Sequence, residues 1–267
     1  KREELKMNFL FQNRYVLDLL ATVMFFTRIP VNWSYFSEKA PDLTRAAWAF
    51  PLIGYFIGIL SGGLGDILLF LGLPIFVASV IAVALSVFIT GAIHEDGLAD
   101  MADGFGAGGN SERINEIIHD SRLGTYGVIA LILGILIRVG LVVSLVDLGY
   151  SLIFVLSVGF ASGKMAILIS RNFFNLSDFA KTGSVFGSVT SANILIATII
   201  WLTPLLFFFP IFAILLGVFF SFCLIYIIGS RATNLIGGIT GDVLGATAFL
   251  SEIGFFLGVA IVLFFAI

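Results

Sequence analysis

Seven stretches of this chain are apolar for too long to lie against water. They run Ala46–Leu71, Pro74–Ile93, Tyr126–Val146, Tyr150–Ser170, Val189–Phe209, Pro210–Ile228 and Ile253–Ile267. About 20 consecutive apolar residues make a helix long enough to cross a bilayer; the last stretch is short for one. A briefer apolar run, Val16 to Phe26, contains Asp18 and reads as an interfacial or re-entrant helix. The expected fold is therefore all-α. It is a polytopic bundle of about seven transmembrane helices plus the N-terminal helix, in one domain over residues 1–267, with six and eight spans left open. Composition agrees: 12% of residues are charged, against about 25% in soluble domains, and the mean hydropathy is +1.11.

Charge sets the expected orientation. The turns near Gly72, Asp147 to Gly149 and Phe209 carry no Lys or Arg. Lys1, Arg2, Lys6, Arg14, Arg28, Lys39, Arg45, Arg113, Arg122, Arg171, Lys181 and Arg231 all fall on the other side. Basic residues stay cytoplasmic, so the N-terminus and the segments 94–125, 171–188 and 229–252 are expected inside, in a cell (inner) membrane. A net charge of −3 gives no reason to expect a nucleic-acid partner. The single Cys223 lies in an apolar run and reads as a packing residue, which excludes a disulfide framework within one chain. The N-terminal residues show no signal-peptide cleavage pattern, and Met7 reads as an original start. Within the spans, Arg138 is expected to pair with a carboxylate or a carbonyl, Lys164 to snorkel, and Asp66 to sit at the outer boundary without a role.

One acidic run interrupts the apolar pattern. Residues 94–109 read HEDGLADMADGFGAGG, with Glu95, Asp96, Asp100 and Asp103 within nine positions. On a helix Asp96, Asp100 and Asp103 share one face. Such carboxylates repel one another unless a cation lies among them, and hard oxygen donors point to Mg²⁺, Mn²⁺ or Ca²⁺ rather than Zn²⁺. Glu95, Asp96, Asp100 and Asp103 are the metal-ligand candidates.

Two further segments supply polar groups. In SERINEIIHDSRLGTYG, residues 111–127, Ser111 opens a short amphipathic helix that ends before Asp120 and Arg122. Asp120 is a candidate ligand or general base, and Arg122 a candidate for a phosphoryl oxygen. A local Asp120–Arg122 cap is the alternative, and His94 and His119 are given no role. In RATNLIGGITGDVLGATAFLSE, residues 231–252, Gly237, Gly238 and Thr240 read as a phosphate nest of backbone amides, with Asp242 adding an acid. Close helix packing is the alternative for these glycines. Arg113 and Arg231 are the other candidates for binding phosphates. There is no Walker A sequence, so P-loop chemistry is not indicated. Together these are the parts of metal-assisted phosphoryl transfer at a membrane surface.

At FTRIPV (26–31), HEDGLADMADGFGAG (94–108), HDSRLGTYG (119–127) and GGITGDVLGA (237–246) the sequence resembles the cobalamin synthase family, the adenosylcobinamide-GDP ribazoletransferases. The pieces cover most of the chain in the family's order. The resemblance implies a Mg²⁺-dependent transferase. It would join adenosylcobinamide-GDP to α-ribazole or its 5′-phosphate, giving adenosylcobalamin or its 5′-phosphate and GMP. The substrates and the lipid bilayer are then the expected partners, and association into a homo-oligomer is left open. Asp96-Gly97 lacks the Ala-Arg pair that marks CDP-alcohol phosphotransferases. Two rival classes are kept: an intramembrane prenyltransferase, which would need a second Asp-rich motif, and an ion-coupled transporter, which would place its acids mid-span.

Overall fold

In the computed structural model, which describes residues 13–180 and 187–265, the described residues form ten α-helices and no strand. They are α1 (Arg14–Phe26), α2 (Phe50–Phe70), α3 (Ile75–Thr90), α4 (Ile93–Ala107) and α5 (Ser111–Ile118). The rest are α6 (Thr125–Asp147), α7 (Leu152–Phe173), α8 (Ser191–Phe208), α9 (Ile211–Ile236) and α10 (Gly241–Phe265). Six helices are long and apolar enough to cross a membrane, or seven when α3 is counted with its continuation α4. Lys1, Arg2, Lys6, Met7, Lys181 and Ile267 lie outside the described residues.

Tight turns at Leu71–Pro74, Leu148–Ser151 and Phe209–Pro210 reverse successive spans. All the long polar connections therefore gather at the opposite end of the bundle. Helix α1 has 13 residues, about 20 Å at 1.5 Å per residue, too short to span. It is anchored by Asp18, which accepts from Arg45 Nε at 2.7 Å and Trp48 Nε1 at 3.0 Å.

Helix α7 is buried along nearly its whole length and forms the hub. One side of it meets α2 through a ladder of small residues at four-residue spacing. A Cβ on Gly54 would lie 2.6 Å from Ala161 Cα; one on Gly58 or Gly62 would overlap the backbone of Ser157 or of Leu152 and Ile153. Small residues let helix backbones meet where lipid offers no hydrophobic drive for association. Gly58→Val should cost about 1–3 kcal/mol or more through overpacking. Lower resistance to SDS unfolding checks this, and unchanged resistance contradicts the ladder. The N-terminal end of α7 is capped by Asp66, which accepts from the amides of Leu152 at 2.8 Å and Ile153 at 3.1 Å. Asp66, expected to have no role, thus has a structural one.

Two spans depart from the sequence reading. The second apolar run does not continue straight to Ile93: α3 stops at Thr90 and the chain turns 86° into α4. The final span begins at Gly241, not Ile253, so Glu252 lies in the middle of a helix rather than at its start. Segment 229–252 is accordingly no polar loop; it is the end of α9, a short turn and the first half of α10.

Lys164 does not snorkel. It is 1% exposed on α7, with its ammonium 4.8 Å from the Phe26 ring centroid and 3.2 Å from His94 Nε2.

Candidate active site

The 86° turn creates the site. Gly91 (φ 65°) and Ala92 (φ 60°) are both left-handed, and a side chain at Gly91 would run into Arg28. A left-handed alanine is a strained residue, and it lies directly before the acidic helix. Helix α4 then runs across the polar end of the bundle.

Glycines decide how close its acids come to α10. A Cβ on Gly97 would lie 2.6 Å from the carbonyl oxygen of Asp242, and one on Gly245 would lie 3.0 Å from that of Ile93. Only bare backbone permits this crossing, and it brings Asp96 beside Asp242. The two acids border a cleft of about 590 Å³ that Asp100, His119, Asp120 and Arg122 also line. The cleft is thus built from α4, the loop after α5 and the start of α10.

Its electrostatics are those of crowded carboxylates. The Asp100 carboxyl is pushed up to about 7, first by burial and then by Asp96, Asp242 and Asp103. Asp120 is the opposite case. Arg122 grips both of its oxygens, with Nη2 at 2.6 Å from Oδ2, and holds its carboxyl at about 2. A group that acidic is a poor proton acceptor at neutral pH, so the general-base reading of Asp120 is withdrawn. The pair lines the cleft, as a capped but exposed guanidinium at its mouth.

Other expectations are corrected. Asp103 shares the helix with Asp96 and Asp100, but both its oxygens are used: they accept from the amides of Gly124 at 2.7 Å and Gly127 at 2.8 Å. It fastens the start of α6 to α4 and is not a free ligand. The proposed phosphate nest is also structural. The Gly237 amide donates to Thr233 O at 3.1 Å, and Gly238 is pressed against residues 175–177. The Ile239 amide donates to Asn175 O at 2.9 Å, and Thr240 Oγ1 caps α10 by accepting from Val243 N. The turn therefore braces α10 and offers no open cradle. Arg113 pairs with Glu116 at 3.1 Å on the exposed face of α5. Arg113 and the exposed Arg231 are both absent from the cleft lining.

Beneath the cleft lies a buried ion network that the sequence showed only in part. Arg138 finds the carboxylate expected for it, and a second. It takes Glu95 (Nη1–Oε1, 3.0 Å) and Glu252 (Nε–Oε1, 2.8 Å; Nη2–Oε2, 3.1 Å), and lies 4.7 Å from the Phe160 ring centroid. Glu95 Oε2 is buried without a partner, although Glu95 borders the cleft. His119, which the sequence reading leaves without a role, lines the cleft with Nδ1 2.9 Å from Asn115 O. A carbonyl oxygen only accepts, so Nδ1 carries the proton in that contact. The signal for it lay in the HDSR run itself, where the histidine ends α5 one residue before Asp120.

Among the described residues no three His, Cys, Asp or Glu side chains are drawn together tightly enough to hold an ion as they lie. Mg²⁺ does not require such a cage; it is usually held by one or two carboxylates, waters and substrate phosphates. The donor set fits that habit. Asp96, Asp100 and Asp242 face one cleft, and the orphaned Glu95 Oε2 is an oxygen that a cation would satisfy.

The sequence matches the Cobalamin-5-phosphate synthase family over residues 18–260. It is 36% identical to an adenosylcobinamide-GDP ribazoletransferase of Azorhizobium caulinodans, over 93% of this chain and 97% of that protein. It is 38% identical to one of Clostridium botulinum, over 90% and 96% respectively. No solved structure matches. On this coverage the chain belongs to the Cobalamin-5-phosphate synthase family.

Proposed function

We propose that this membrane enzyme joins adenosylcobinamide-GDP to α-ribazole or its 5′-phosphate and releases GMP. The observation that carries the reading is the cleft itself. Three aspartates from two helices face an arginine fork across a space large enough for a nucleoside diphosphate ester. Relatives similar over nine-tenths of the chain bear the ribazoletransferase name. The mid-span acid that a transporter would need, Glu252, is neutralised by Arg138. A prenyltransferase would need a second Asp-rich helix, and α10 brings only Asp242 to the cleft.

The chemistry follows from the residues. The acceptor hydroxyl oxygen forms a new bond to the phosphorus that carries cobinamide. The bond from that phosphorus to GMP breaks, and the hydroxyl proton passes to a carboxylate of the Asp96–Asp242 pair. Asp96, Asp100 and Asp242 would hold Mg²⁺, which when bound would supply neutralisation of phosphoryl charge. Arg122 receives the diphosphate with its planar fork, and Asp120 keeps that fork oriented.

The purified chain in lipid, given both substrates and Mg²⁺, should release GMP in step with formation of the joined product. Neither should appear without the acceptor. GMP release that is independent of α-ribazole, or no release at all, would overturn the reading. Arg122→Lys keeps the charge and loses the fork, so KM for adenosylcobinamide-GDP should rise about tenfold with KM for α-ribazole little changed. Equal wild-type values for both would make Arg122 a loop cap only.

Cytoplasmic placement of the cleft rests on the positive-inside bias. Glu112→Cys in a Cys223→Ala background should resist an impermeant thiol reagent in intact cells and react in inverted vesicles. The opposite pattern would place the cleft outside.

A further inference from the structure

A second cavity, of about 130 Å³, also reaches Asp96 and Asp242 and is lined by Phe25, Phe26, Phe50, Ile167 and Leu244. Asp96 and Asp242 border both this slot and the polar cleft. We infer that the slot is the acceptor subsite, and that it takes a flat, uncharged aromatic heterocycle attached to the ribose whose hydroxyl is phosphorylated. This deepens the proposed function and rests on it.

Four observations support the assignment. The first is size. One water occupies about 10–15 Å³ on the same scale, so the slot holds a fused bicyclic ring of roughly ten heavy atoms.

The second is surface chemistry. Phe26 packs edge-on against Phe50 at 4.8 Å between centroids and lies near-parallel to His94 at 6.3 Å. Aromatic walls favour another ring by offset or edge-to-face contact. His94 adds a polar ring to the slot's lining, with its Nε2 3.2 Å from Nζ of the buried Lys164. An anionic guest would meet the Asp96 and Asp242 carboxylates and no lysine or arginine in the slot's lining.

The third is the position of the acids. A lipid tail would gain nothing from two carboxylates at one end of its slot, whereas a nucleoside places its sugar hydroxyl there.

The fourth is the geometry of displacement. Attacking and leaving oxygens must lie roughly in line across phosphorus. Arg122 and Asp120 line the cleft, the aromatic side chains line the slot, and Asp96 and Asp242 line both, so the leaving group and the acceptor can reach one acid pair from two different cavities. The atoms balance as above: one P–O bond forms to the acceptor, one breaks to GMP, and the hydroxyl proton goes to the acid pair. The Phe26–Val31 segment thus acquires a task, since the end of α1 supplies Phe25 and Phe26 to the slot.

The test uses the whole purified chain, varying each substrate in turn. Ile167→Phe fills the slot and should raise KM for α-ribazole about tenfold or more. KM for adenosylcobinamide-GDP should stay within about twofold. Ile167→Ala enlarges the slot without overpacking and should survive where the larger side chain does not fold. It should shift preference, by about tenfold in kcat/KM, from the two-ring benzimidazole riboside toward a three-ring analogue. Saturation-transfer NMR of α-ribazole on wild-type protein should mark the base protons above the ribose protons. An active wild type in which both variants leave acceptor KM and base preference unchanged would overturn the subsite while leaving the transferase reading intact. A wild type that releases no GMP would instead overturn the reading on which the subsite rests.

Discussion

Replacing Asp100 with Asn lowers turnover by about 10²–10³-fold, the scale on which losing one charge-stabilising group at a transition state is felt, and leaves the fold in place. Asp100 faces the cleft from the middle of α4, and its carboxyl is pushed up to about 7 by burial and three neighbouring acids. The same crowding gives a readout that does not depend on activity. Its pKa in the folded chain lies above the ordinary value of 3.8, so the folded state binds the extra proton. Stability in chelator is then full below about 4 and falls as pH rises toward about 7. The neutral amide of Asp100→Asn removes that loss. Thermal scans in EDTA should therefore show the variant at least as stable as wild type at pH 7.5, and Mg²⁺ should stabilise wild type more. A variant that unfolds would make Asp100 structural; one with near-normal turnover would remove it from the chemistry.

Arg138→Met should be the most damaging substitution in the bundle, destabilising it by about 3–5 kcal/mol, the cost of breaking a buried ion pair from one side. The guanidinium is 1% exposed and serves two buried carboxylates, Glu95 and Glu252. Removing it leaves two negative charges with only the nearby Lys164 to offset them. Adding Glu252→Gln to the same chain should recover part of the loss, because one uncompensated charge is then gone. SDS unfolding of the three proteins measures this. A single variant as stable as wild type would mean that the network contributes nothing to folding.

The network also explains where the sequence misled. Hydropathy placed the start of the last span at Ile253 because GITGDVLGATAFLSE carries two acids and many small polar residues. In the structure those features are satisfied by contacts from elsewhere. Glu252 is neutralised by Arg138, 114 positions away, and Gly245 and Gly97 let α10 cross α4. A pairing between distant residues leaves no trace in the local pattern of one segment. The same holds for Asp103. Its spacing from Asp96 and Asp100 puts it on the expected face, but the amides that occupy it come from Gly124 and Gly127 on another element.

What was legible rested on local rules. The apolar run lengths located most of the spans, and four- and three-residue spacing made the acidic run a helix. The 86° turn was not legible because its second residue, Ala92, is left-handed without being glycine. The four-residue spacing of Gly54, Gly58 and Gly62 gained its meaning only from the structure, which supplies α7 as the partner helix.

The central claim is that Asp96, Asp100 and Asp242 form one divalent-cation site at which transfer occurs. Mn²⁺ binding followed by EPR, with GMP release measured in the same sample, tests it most directly. Wild type should bind Mn²⁺ more tightly when adenosylcobinamide-GDP is present and should release GMP only with metal. Asp96→Asn and Asp242→Asn, on two different helices, should each weaken Mn²⁺ binding and lose turnover together. Undiminished GMP release in EDTA, or Mn²⁺ binding unaltered in both variants, would contradict the account.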